Sequence, residues 1–182
     1  MQIQLLRHAT LVVRLGEVTL LVDPMLSPAG AMDPVGNAAN QRRIPLVGLP
    51  IDDAELVQLL ERIDGVIVTH THRDHWDARA AELIGKDTPI LCQPEDADRI
   101  GGQGFTQVQP IEREHEWNGL RLARTGGRHG TGQIGQQMGQ PAGFQIDVQL
   151  SDGSTRAFNV PTPGDLRLGE RVEVNGSQLS RY

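Results

Sequence analysis

A single cysteine, Cys92, stands in 182 residues. No disulfide can form within the chain, which fits a reducing compartment. Aromatic residues make up only 3%, so the core is expected to be built of Leu, Ile, Val and Ala. No apolar stretch reaches the ~20 residues that a membrane helix needs. The start, Met1-Gln2-Ile3-Gln4, has neither the charged head nor the long apolar run of a signal peptide. The expectation is a cytoplasmic chain that spans no membrane. There is no basic run, and the net charge is −6, which counts against nucleic acid as the main partner. Glycines crowd residues 126–132, but no Gly-Lys-Ser/Thr follows them, so they are not a phosphate loop. What is present, 38% hydrophobic and 22% charged residues, is the mixture of one globular domain with a real core.

The stretch richest in chemistry is Thr69-His70-Thr71-His72-Arg73-Asp74-His75-Trp76. Before it, Gly65-Val66-Ile67-Val68 reads as a buried strand. After it, residues 77–84 read as a helix stopped by Gly85. The cluster thus falls on a turn at the C-terminal end of a strand, where a rigid scaffold aims functional groups. Imidazole nitrogen and carboxylate oxygen suit zinc, manganese or iron. On an extended segment alternate side chains point the same way, so His70 and His72 can share one ion. Asp74 and His75 begin the next turn and can face a second.

The rest of the chain reads as alternating elements. Residues 2–6, 10–15 and 18–22 are expected to form an antiparallel meander closed by Asp23-Pro24, since proline cannot extend a ladder. His8, after the first strand, is open to two readings, a satisfied buried histidine or part of a site. Residues 24–50 are rich in Pro, Gly, Ala and Asn, a loop long enough to reach over a pocket. For Arg42 and Arg43 within it, a solvated pair and a contact to an anionic substrate group both stay open. Asp52 and Glu55 form a capping box, and Leu56, Leu59, Leu60 and Ile63 follow at helical spacing. Strands at 89–92 and 105–109 flank a helix opened by Pro94 and ended by Gly101-Gly102. This order implies parallel strands with crossover helices. Asn118-Gly119 marks a hairpin within 110–125, and His115 before it reads as a surface histidine. A second hairpin is expected from 143–149 and 155–160. Cys92, on a short apolar strand, reads as a core thiol.

The sequence His70-Thr71-His72-Arg73-Asp74-His75 after an apolar strand resembles the signature of the metallo-β-lactamase-fold hydrolases, and specifically their lactonase-like branch, typified by L-ascorbate-6-phosphate lactonase. The resemblance covers about residues 1–155 of a single domain. It implies an α/β (α+β) fold, an αβ/βα sandwich that is incomplete on the C-terminal side. It also implies that His129 joins His70 and His72 as the third ligand. Asp74 would be catalytic, orienting or deprotonating a water. Asp74 and His75 would lean toward a second ion, with Asp165 of Gly164-Asp165 as a bridge. His8 and Asp23 would stand behind the ligands.

Residues 156–182 depart from the family pattern, and no histidine follows His129. They are expected to be a divergent tail with room for one more hairpin. Losing part of the sandwich is expected to expose apolar surface and favour a homo-oligomer. The resemblance implies one or two Zn²⁺ ions, or alternatively Mn²⁺, with one well held. It implies hydrolysis of a small-molecule ester, lactone or phosphodiester by metal-bound hydroxide. Two other readings stand beside it: a degenerate member that binds metal without turnover, and a metal-dependent nuclease.

Overall fold

The computed structural model describes residues 1–35, 40–127, 142–149, 155–159, 167–175 and 178–181. Three strands open the chain, β1 (Gln2–Arg7), β2 (Thr10–Leu15) and β3 (Val18–Val22). They form the expected antiparallel meander, with Val13 opposite both Ile3 and Leu20. Three crossover units follow: α1 (Asp53–Leu60) to β4 (Gly65–Val68), α2 (Ala78–Leu83) to β5 (Ile90–Cys92), and α3 (Pro94–Gly101) to β6 (Val108–Pro110). β3, β4, β5 and β6 pair in parallel, each neighbouring pair joined by the crossover that parallel strands need.

The hairpin β7 (Glu114–Trp117) and β8 (Leu120–Gly126) turns on Asn118 and Gly119. Both have positive φ, 47° and 73°, the conformation that an Asn-Gly hairpin turn supplies. β9 (Ala142–Gln149) and β10 (Thr155–Asn159) complete a four-stranded sheet in the order β10-β9-β8-β7. The tail contributes β11 (Arg171–Asn175) and β12 (Gln178–Arg181), a hairpin that pairs with β1. The larger sheet therefore runs β12-β11-β1-β2-β3-β4-β5-β6.

Period-two alternation sorts the core into two layers. Leu20, Val22, Ile67 and Leu91 meet Trp117, Leu120, Leu122 and Phe144 between the sheets. Their neighbours Leu21, Val66, Val68, Ile90 and Cys92 face the helices, against Leu56, Ala80, Ile84 and Ile100. The layers are thus helices, large sheet and small sheet.

Two expectations need correction. The strand expected at 105–109 forms at Val108–Pro110. Phe105 is instead a core plug, 5% exposed, and Thr106 donates to the Lys86 carbonyl. His115 is half-buried, with Nε2 2.9 Å from Gln109 Oε1, so it is not a free surface group. Arg43 is exposed, in keeping with the solvated reading, and bonds within its own loop to Asp33 and to the carbonyls of Gly30 and Ala31. Among the described residues, no helix is long and apolar enough to cross a membrane.

Candidate metal centre

The parallel register of β3 and β4 places Val22 beside Ile67. Asp23, the next residue, therefore arrives level with the end of β4. Its N–H donates to the Ile67 carbonyl at 2.9 Å. Its φ of 45° is a left-handed conformation that Asp adopts more readily than most side chains. From there its buried carboxylate accepts three hydrogen bonds: Thr69 N–H at 2.8 Å, the Thr69 hydroxyl at 2.8 Å and His75 Nδ1 at 2.8 Å.

These bonds determine where protons sit on the imidazoles. The Thr69 hydroxyl has one proton and gives it to Asp23. Toward His70 Nδ1, 3.0 Å away, it can only accept. His70 thus carries a proton on Nδ1, and so does His75, whose Nδ1 meets Asp23. This assignment follows from the hydrogen-bond network. In the neutral form of each ring, Nε2 holds the lone pair, as a metal ligand requires. The rings lie together: centroids are 4.0 Å apart for His70 and His75, and 4.6 Å for His70 and His72.

The turn after His72 is tight. The N–H groups of His75 and Trp76 both donate to the His72 carbonyl, at 2.9 and 2.8 Å. Trp76 anchors it, buried against Phe105, with its indole N–H on Gln103. Asp77 then caps α2 through Ala80 N–H and also takes Ser27 N–H. Asp74 is half-exposed, its Oδ2 3.6 Å from His75 Nε2. Burial pushes the His75 pKa down, but the Asp23 hydrogen bond and the charges of Asp23 and Asp74 outweigh it, and the net shift is upward. His8, φ 47°, accepts the Leu46 N–H at Nε2, 3.2 Å. Burial and then Arg7 lower its pKa, with Asp74 opposing.

His129 and Asp165 lie outside the described residues. Among the described residues, no three His, Cys, Asp or Glu side chains form a cation cage by themselves. What they offer is a partial donor set, nitrogen lone pairs on adjacent rings with a half-exposed carboxylate beside them. That chemistry fits a divalent cation of the zinc or manganese kind. Cys92 offers nothing to it: fully buried, its thiol is pushed up to about 12 by burial and by the Asp96 charge.

Two supporting residues carry no motif signal in the sequence. Thr69 bridges Asp23 and both imidazoles, a role visible only once β3 and β4 are paired. Arg7 is fully buried. Its guanidinium donates to the carbonyls of Met25, Ser27 and Val47, which tethers both ends of the long loop. Burial lowers its pKa, opposed by Asp77.

Residues 2–154 match the family described as Beta-lactamase superfamily domain. The chain belongs to that superfamily. Its layered sheets and crossover helices are those of the metallo-β-lactamase-like fold. The UPF0173 protein YddR of Bacillus subtilis is 34% identical over 135 residues, 73% of this chain and 52% of that protein. The crystal structure of a possible metal-dependent hydrolase from Veillonella parvula aligns with a TM-score of 0.78 at 34% identity, over 86% of this chain and 61% of that one. An isothiocyanate hydrolase from Delia radicum gut bacteria aligns at 0.74 and 33%, over 87% of this chain and 62% of that one. The chain therefore spans between half and two thirds of the length of these relatives.

Proposed function

We propose that this superfamily member binds a divalent cation, zinc or manganese, and is a metal-dependent hydrolase of a small ester, lactone or phosphodiester. The observation that carries the reading is the cluster of His70, His72 and His75, with ring centroids 4.6 and 4.0 Å from His70, in which Nδ1 of His70 and of His75 lies on Thr69 and Asp23. The names of the Veillonella and Delia radicum gut bacterial relatives support it. When bound, the cation would supply Lewis acidity, lowering the pKa of a coordinated water to about 7 and polarising the bond under attack.

In this proposal His70, His72 and His129 hold the cation. Asp74, half-exposed beside them, orients the attacking water and takes its proton. His75 and Asp74, with Asp165, serve a weaker second position. Asp23 fixes the orientation of His75 through Nδ1, and His8 lines the loop side with its neutral ring. The acidic net charge, −6, favours small-molecule substrates over nucleic acid.

Elemental analysis of purified protein tests the reading. One tightly bound equivalent per chain is expected, lost in His72→Ala together with hydrolysis of a lactone and phosphodiester panel. Two tight equivalents would remove the weak second position, and none would remove the cation altogether. Bound cation with no turnover on the panel would favour a binding protein, and RNA cleavage abolished by the same substitution would favour a nuclease.

A further inference from the structure

The four residues Thr69-His70-Thr71-His72 place a threonine before each histidine. Asp23 takes both donors of Thr69, its N–H and its hydroxyl. Asp96, from the first turn of α3, does the same for Thr71. The Thr71 N–H reaches Asp96 Oδ2 at 3.2 Å, and the Thr71 hydroxyl reaches Oδ1 at 2.5 Å. We propose that Asp96 is a positioning residue for the cation: with Asp23 it brackets His70 and sets the spacing of the His70–His72 ligand pair. This rests on the cation reading above.

Residues 70 and 71 lie beyond β4 and belong to no strand, so no ladder fixes their backbone. Thr71 is nonetheless 5% exposed, and a buried N–H must find a partner. Asp96 is that partner. Holding Thr71 on one side of the segment directs the two flanking imidazoles to the other, where their rings meet edge to face.

The bracket is itself braced. Gln93, 4% exposed, makes no cap bond at the start of α3. Its amide nitrogen donates instead to Asp96 Oδ2 at 2.7 Å. Its amide oxygen lies 3.4 Å from Arg124 Nη2, which also bonds Glu95 at 3.1 and 3.2 Å. Asp96 thus accepts three hydrogen bonds on its two carboxylate oxygens. Arg124 belongs to β8, the strand that leads to Gly126 and Gly127. One connected chain of bonds therefore joins the first ligand pair to the strand that precedes His129 in sequence.

Cobalt(II) titration of the full chain, read by its visible absorption spectrum, tests this. Asp96→Ala is expected to lose about 10–100-fold in cobalt affinity, the usual cost of removing a partner behind a ligand, with a changed d–d spectrum. Thr71→Val is expected to move the same way, and Thr71→Ser to restore both affinity and spectrum. Metal-free Asp96→Asn, which keeps the shape, is expected to unfold cooperatively and bind weakly, which covers a failure of the alanine variant to fold. Wild-type affinity and spectrum in Asp96→Asn and Thr71→Val would overturn the proposal while leaving the cation reading intact. No cobalt binding by the wild type would overturn both.

Discussion

At the scale of single residues, the site depends on where protons reside. His75 binds its proton more tightly in the folded chain than the ordinary value of 6.5, because Asp23 and Asp74 outweigh the cost of burial. A group whose folded pKa is raised adds stability that is complete below the unfolded pKa and is lost as pH rises through the folded value. The cation-free protein should therefore gain from His75 on the acid side and lose that gain toward neutrality and above. A cation competes with the same Nε2 proton, so its stabilisation should have the opposite slope and grow with pH. Chemical denaturation at about pH 5.5 and about pH 8.5, with and without zinc, reads both slopes. In Asp23→Asn the acid-side gain of the cation-free protein should shrink. An unchanged profile would show that Asp23 does not hold the His75 proton.

At the scale of elements, Gly65 of β4 lies close against Trp117 of β7 between the sheets. A Cβ at Gly65 would come within 2.8 Å of Trp117 Cη2 and 3.3 Å of the Pro89 carbonyl. Gly65→Ala should destabilise the protein by about 1–3 kcal/mol, the usual cost of overpacking. In a Trp117→Leu background the same change should cost less, and a double-mutant cycle measured by denaturation checks it. Additive losses would mean that the two residues do not touch. Elements whose signals are local were legible in the sequence. β1 to β3 are short runs rich in Leu, Ile and Val, cut by Gly16 and by Asp23-Pro24, α1 carries both halves of its capping box, and Asn118-Gly119 turns its hairpin. The start of β6 was not legible, because Phe105-Thr106-Gln107-Val108, apolar only at its two ends, does not say which apolar residue enters the ladder and which fills the core. The partners of Thr69 and Thr71 were hidden for a related reason. Asp23 is 46 positions away from Thr69 and Asp96 is 25 from Thr71, and only parallel pairing brings them together.

At the scale of the whole molecule, the tail shows the same limit. A hairpin was legible in it, but its attachment to β1, at the far end of the chain, was not. The expectation that a shortened sandwich exposes apolar surface is not met on the described outer face of β7 and β8. Glu114, Glu116 and Arg121 are exposed there, with Glu114 and Arg121 2.6 Å apart. A homo-oligomer remains our proposal, with its contact away from that charged face. Sedimentation velocity should show self-association that persists in Glu116→Lys. A single-chain species at every concentration would end the idea.

Arg7 has a consequence beyond the site. Its guanidinium grips Met25 and Ser27 at one foot of the loop and Val47 at the other, from a strand that the ligands do not use. An arch stapled at both abutments can be respelled between them while its foundations stay level. A foreign segment spliced between Pro28 and Pro45 should leave cooperative melting intact, whereas the same graft in Arg7→Met should not. Inheritance could then exchange what the rim greets while the floor beneath it keeps its shape.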